Sequence, residues 1–190
     1  MRALTWWDHG TESIWSQPWG MAIMGPLRGT RLSLIPAGVV PWSVWLTEHP
    51  ETQVLDLPGY RKRPFNNDFV IGIALGENAK AYPFTATSEV AIVNDQIGEF
   101  PIVVLVNAES KAIHAFIRKT ASNDLEFALK DGKLVDLQTG SSWDATRGLA
   151  VDGPLRGEVL QRVPYMTAFD WAWENFYPHT EFFEKAGIGQ

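Results

Sequence analysis

The sequence predicts a mainly β fold of the α+β kind, with antiparallel strands in two related units, each closed by a short C-terminal helix. Three observations predict it. A gapless internal repeat runs at an offset of 128 residues. Short apolar, β-rich runs alternate with Gly, Asn and Asp turn signals. Each repeat then ends in a tryptophan-bearing segment closed by Pro.

The repeat comes first, because it fixes the organisation. Thr11–Pro36 reads TESIWSQPWGMAIMGPLRGTRLSLIP, and Thr139–Pro164 reads TGSSWDATRGLAVDGPLRGEVLQRVP. Trp15 matches Trp143, Gly20 matches Gly148, and Gly25-Pro26-Leu27-Arg28-Gly29 is identical to Gly153-Pro154-Leu155-Arg156-Gly157. The match continues through Leu32 and Leu160, Pro36 and Pro164, and Trp45 and Trp173, and ends at Pro50-Glu51-Thr52 against Pro178-His179-Thr180. Gly and Pro fix backbone geometry and Trp fixes a packing volume, so the shared residues specify shape. The arginine pair Arg28 and Arg156 is the exception, read as paired with a local carboxylate or carbonyl, or as anion-binding.

The elements follow in order. Phe69–Leu75 and Ala79–Pro83 flank the turn signal Gly76-Glu77-Asn78 and predict a hairpin. Val90–Val93 predicts a short strand, stopped by Asn94 to Gly98. Phe100–Val106 is the most apolar run and predicts a central strand, with Ala112–Arg118 as its neighbour. Leu125–Leu129 and Lys133–Leu137 flank Asp131-Gly132, a tight hairpin turn. Trp143, Gly148–Val151 and Val159–Val163 predict short strands around the GPLRG turn. Thr167–Phe176 predicts a helix capped by Thr167, with Phe169, Trp173 and Phe176 on one face and Pro178 as its stop. In the first copy Thr30–Ile35 is the strand, Pro41 opens the helix at its first turn and Pro50 closes it. Residues 1–56 thus form the C-terminal half of a first unit, 57–68 a connection and 69–185 a complete second unit. The first unit lacks a counterpart of 69–131. Either another chain supplies it or the half unit packs on the complete one, and exposed strand edges make self-association or a second chain the expected partner.

Composition narrows the function. The net charge of −6 carries no long run, which argues against a nucleic-acid surface. The one basic cluster, Arg61-Lys62-Arg63, reads as solvated. Without cysteine there is no disulfide, thiolate metal site or Cys nucleophile. No apolar run spans a bilayer, and no signal peptide pattern is visible. Nine tryptophans read as packing anchors or as an aromatic platform for a flat ligand such as a sugar.

Chemistry-bearing residues form no strong constellation. His9, His49, His114 and His179 include no i, i+4 helical pair; His49 and His179 read as groups near helix C-termini, and His114 as a packed or hydrogen-bonded core residue. Asp8, His9 and Glu12 could gather round a metal ion but read more simply as loop neighbours. Asp131 and Asp136 read as a solvated turn. No serine has a nucleophile-elbow context, and the GPLRG loop lacks the features of a phosphate cradle. No cofactor, metal site or catalytic residue is assigned. Candidate ligand-binding residues are Trp15, Ser16, Gln17, Arg28, Trp143, Asp144 and Arg156. The expected function is a non-catalytic binding or scaffold domain. The alternative is a hydrolase or metal-dependent enzyme with its site near WSQ and GPLRG.

Gly76-Glu77-Asn78-Ala79-Lys80-Ala81-Tyr82-Pro83, Val93-Asn94-Asp95, Trp15-Ser16-Gln17, Gly25 to Thr30 and Trp42 to Thr52 together resemble the motifs of the domain of unknown function 3179 family, over nearly the whole chain. The resemblance implies tandem units. Its relatives often look exported, which implies an extracytoplasmic location. Members often carry a His before VND and a Cys-Pro-Leu-Cys-Gly-like segment after it. Here Thr87-Ser88-Glu89 precedes Val93, and Ile102 to Asn107 holds no Cys, so chemistry tied to those residues does not carry over.

Overall fold

Alternation along a single strand organises the second unit. The structure is a computed structural model, and it describes residues 4–55, 59, 65–121 and 123–184. Arg61 to Arg63 and most of the 57–68 connection lie outside the described residues. In chain order the strands and helices are β1 (Thr5–Asp8), β2 (Ser13–Ser16), β3 (Met21–Met24), α1 (Trp42–Glu48), β4 (Val70–Leu75), β5 (Asn78–Pro83), α2 (Phe84–Val90), β6 (Ile92–Ile97), β7 (Phe100–Val106) and β8 (Ile113–Ile117). Then come β9 (Phe127–Lys130), β10 (Lys133–Asp136), β11 (Ser142–Asp144), β12 (Leu149–Asp152), β13 (Met166–Ala168), α3 (Asp170–Phe176) and β14 (Glu181–Phe182).

Strand β7 lies between β6 and β8 and is buried on both faces. Ile102, Val104 and Val106 enter one core with Ile71, Tyr82 and Ile113. Val103 and Leu105 enter the other with Phe116, Leu134 and Trp143. Successive side chains point to opposite faces, so a continuous apolar run is what such a strand requires. The three-stranded sheet is therefore sandwiched between β13-β4-β5-β14 and β12-β11-β10-β9. On the far side of β4 and β5, Val70, Ala79 and Ala81 pack against Trp173 of α3.

The repeat is reproduced in backbone detail. Trp15 pairs with Ala22 after a bulge between Ile14 and Trp15; Trp143 pairs with Ala150 after a bulge between Ser142 and Trp143. Gly29 N donates to Ala22 O at 2.8 Å, and Gly157 N to Ala150 O at 2.9 Å. Gly25 and Gly153 both have φ 92°, and Gly29 and Gly157 have φ 91° and 94°. The duplicated GPLRG stretches thus share one backbone shape.

Two of these glycines yield a sharp contrast. A Cβ on Gly153 would stand 2.7 Å from Ser141 Cα, whereas one on Gly157 meets nothing within 4 Å. Both substitutions incur the left-handed penalty of about 1–2 kcal/mol, but only the first also collides with main chain. Gly153→Ala is expected to cost at least about 1 kcal/mol more than Gly157→Ala in urea unfolding. Equal costs would show that the loop yields freely.

Several expectations are corrected. Residues 84–90 form helix α2, not a run into a strand at Val90, and β6 continues through Asn94 and Asp95 to Ile97. Thr167 lies in strand β13 rather than capping a helix: pairing with Ile71 holds it extended, and α3 begins after Phe169 with no side-chain cap. Trp173 and Phe176 are buried while Phe169 is exposed. Pro41 is the N-cap residue of α1, one position before the helix. Segments 30–35 and 159–163 make only isolated bridges, Arg31 to Met21 of β3, Val159 to Leu149 of β12 and Arg162 to Phe116 of β8, with no run of paired residues that makes a strand. The half unit packs partly on the complete one. The Trp19 ring meets Phe176 edge-on at 5.3 Å, Tyr177 OH donates to Pro18 O, and Val39 bridges Ile113 on the edge of β8.

Candidate functional site

The repeated polar residues turn inward. Asp136 ends β10, and its carboxylate accepts from Trp143 Nε1 at 2.9 Å, Thr139 N at 2.6 Å and Thr139 Oγ1 at 2.8 Å. Burial would raise its pKa, but the hydrogen bonds from Trp143 and Thr139 outweigh burial and hold it below the ordinary carboxylate range. Asp136 is therefore fully buried rather than part of a solvated turn. Asp8, at the matching position, accepts from Thr11 Oγ1 at 2.5 Å and Gly10 N at 2.8 Å, and its pKa is lowered by the same kind of contact. Ser13 Oγ accepts from Leu27 N, and Ser141 Oγ from Leu155 N, each pinning a GPLRG loop. The spacing Asp-x-x-Thr before each repeated tryptophan carried this signal, and sequence reasoning missed it.

The seven candidate residues divide accordingly. Trp15, Ser16 and Trp143 are buried in strands β2 and β11. Asp144 Oδ1 caps the turn after β11 by accepting from Thr146 N and Arg147 N. Gln17, Arg28 and Arg156 are exposed. The expected partner for Arg28 and Arg156 is absent among the described residues, and both arginines are exposed.

The GENAKAYP and VND segments meet each other. Lys80 Nζ lies 2.9 Å from Asp95 and 3.6 Å from Glu181, and Tyr82 OH donates to Asp95 Oδ2 at 2.9 Å. Burial, then the adjacent Asp95, raise the Tyr82 pKa, so the phenol stays protonated. Asn94 clasps the backbone of Phe127 in both directions, at 2.9 and 2.8 Å, tying β6 to β9. These motifs staple β5 to β6 and β6 to β9.

His114 is the contrast. It is 4% exposed on β8, facing the second core with Phe116, and it lines a cavity of about 310 Å³ walled by Val44, Ile92, Leu105 and Ala145. Its Nδ1 has no hydrogen-bond partner. Burial, then the Arg162 guanidinium, lower its pKa to about 4, with Asp144 opposing. Arg162 is itself anchored, stacked over Phe116 at 5.0 Å and donating to Thr146 O. The ring is therefore neutral at pH 7. Among the described residues no group of three or more His, Cys, Asp or Glu stands close enough to hold a metal ion, and Asp8, His9 and Glu12 do not form one. His49 is the C-cap residue of α1, its ring against Trp45, and the His179 ring packs edge-on against Tyr177. No helix of the described residues is long and apolar enough to cross a membrane.

Fold and site define a class: a mainly β protein of tandem tryptophan-anchored units whose shared residues build loops and sheet contacts. The chain belongs to the family described as protein of unknown function (DUF3179), whose model matches residues 2–69 and again 62–180. No curated protein and no solved structure matches the chain.

Proposed function

We propose that the chain is a non-catalytic, β-rich binding module, and that the apolar face of its first unit is the binding surface. One observation carries this reading: the first unit leaves exposed what the second buries. Trp6, Trp7, Leu32 and Trp45 are open to solvent, whereas their counterparts Leu134, Val135, Leu160 and Trp173 in the second unit are buried; Trp42 on α1 is also exposed. Exposed large apolar side chains in this number support an interaction role. The inward-turned Asp136, Ser13 and Ser141, and the mutually paired Lys80, Tyr82 and Asp95, support a scaffold rather than a reaction centre.

The apolar dye bis-ANS is the test probe. It is expected to bind the folded chain saturably, and Trp42→Ser with Trp45→Ser is expected to weaken binding about tenfold. Trp171→Ser, an exposed tryptophan on α3, is expected to leave it unchanged. Failure to bind, or equal loss in both variants, would remove the first unit as the binding face.

A further inference from the structure

The cavity beside His114 lies apart from the apolar face of the first unit: Trp6, Trp7, Leu32, Trp42 and Trp45 do not line it. Its walls come from elements far apart in sequence, with Val44 of α1, Ile92 of β6, Leu105 of β7 and Leu134 of β10 among them. At about 310 Å³ it stands at the low end of ligand pockets, which run from about 300 to 1,000 Å³. Among the described residues no charged side chain lines it. A charged ligand would lose its hydration there without gaining a counter-ion.

One polar group is held inside. His114 is 4% exposed, and its two ring nitrogens meet different surroundings. Gly38 and Arg162 flank Nδ1: a Cβ on Gly38 would stand 3.0 Å from Nδ1 and 3.3 Å from Arg162 Nη1. Neither of these residues lines the cavity. Nδ1 is enclosed and has no partner. A guanidinium on that side repels a proton on Nδ1 and favours a bare lone pair there. The proton of the neutral ring then resides on Nε2, which makes no hydrogen bond among the described residues and is not enclosed. An N–H donor thus stands in a mainly apolar hollow with nothing to receive it, a costly arrangement. The exposed Asn107 and Ser110 do not relieve it, because their oxygens serve their own turn: Asn107 Oδ1 accepts from Glu109 N and Ser110 N, and Ser110 Oγ from Ala112 N. The wall also holds Ala91 at φ 63° and ψ −36°, a strained backbone of the kind that clusters at binding sites.

We propose that this cavity binds a small uncharged molecule through one acceptor oxygen, which receives a hydrogen bond from His114 Nε2 while an apolar body fills the space against Val44, Ile92, Leu105 and Leu134. A ketone, ester or amide has that chemistry. At about 30 Å³ for each non-hydrogen atom, the space holds about ten of them. Among the described residues His114 is the one ionisable group lining the cavity, so it recognises the oxygen and has no second group to pass a proton to.

The experiment titrates three probes of that size into the full chain at pH 7 and follows the His114 ring resonances by NMR. Acetophenone carries the acceptor oxygen, α-methylstyrene has a methylene group in its place, and benzoate carries a charge. Acetophenone is expected to shift the His114 resonances saturably. α-Methylstyrene is expected to bind at least about tenfold more weakly, since it leaves the N–H unpaired. Benzoate is expected to bind more weakly than acetophenone as well, since the cavity offers it no counter-ion. In His114→Leu, which keeps an apolar filling, calorimetry is expected to show the two uncharged probes binding alike. No saturable shift with acetophenone, or equal binding by α-methylstyrene in the wild type, overturns the proposal. So does a preference for acetophenone that survives in His114→Leu, because another donor would then hold the oxygen. Benzoate binding more tightly than acetophenone, with the His114 titration midpoint raised, would place an anion beside Arg162 and overturn it too. The comparison of the three probes on the wild-type chain decides the matter where the variant does not fold.

Discussion

Trp173→Ala is expected to lower the unfolding free energy by about 3–5 kcal/mol, and Trp45→Ala, at the matching position of the repeat, by less than about 1 kcal/mol. The two residues share a helix position, a hydrogen bond to a threonine and an aromatic or imidazole neighbour four residues on. They differ in what lies across the ring. Trp173 fills the hollow left by Gly72 and meets Val70, Ala79 and Ala81, so its removal opens a cavity the size of an indole against a sheet. Trp45 is exposed and borders an open hollow with Gly38 and Arg162, so its removal opens no closed cavity. With a urea slope of about 2–3 kcal/mol/M for a chain of this size, the first variant should move the midpoint by about 1–2 M and the second by a few tenths. The converse substitution, Gly72→Val, should also be severe, since it drives a branched side chain into the Trp173 ring. Similar midpoints for the two tryptophan variants would mean that the units bury their indoles alike.

The repeat was the most legible part of the fold because its residues act locally. Glycines at φ near 92° and a bulge before each tryptophan depend on near neighbours in sequence, so identity of sequence carries identity of shape. Strand β7 was equally plain, since burial on both faces leaves no polar position. What failed depended on distant partners. Thr167 carries a good capping pattern, yet pairing with Ile71 places it in a sheet, and nothing near Thr167 announces β4. Segments 30–35 and 159–163 are apolar enough for strands but meet β3, β12 and β8 only at isolated bridges. Polarity alone placed Asp136 in a solvated turn; the Trp143 indole and Thr139 draw it inside. His114 could be placed in a strand from its neighbours, but its unmatched nitrogen and its cavity follow from where α1 and the turn at Ala145 and Thr146 approach, which spacing does not encode.

The stability of the folded chain is expected to fall by about 2 kcal/mol between pH 7 and pH 5 through His114 alone. In the folded state burial, and then Arg162, hold its pKa at about 4, against an ordinary value of 6.5. The fold therefore favours the neutral ring, and between these two values the unfolded chain binds a proton that the folded chain does not. This contribution is complete above pH 6.5, is lost as pH falls through the window, and levels off near pH 4 at a total of about 3 kcal/mol. The charged groups facing the ring are Arg162, which repels the imidazolium, and Asp144, which favours it without overcoming burial. Asp136 responds separately: its carboxylate is held below the ordinary range, so its contribution disappears only in stronger acid. His114→Leu removes the titration while keeping an apolar filling next to Phe116 and the cavity wall. Urea midpoints from pH 7 to pH 4 should fall more steeply in the wild type than in the variant, and the His114 ring protons should titrate with a midpoint near 4 by NMR. Parallel pH profiles, or a midpoint near the ordinary value, would show that the ring finds water or a partner in that cavity, and that its nitrogen is satisfied.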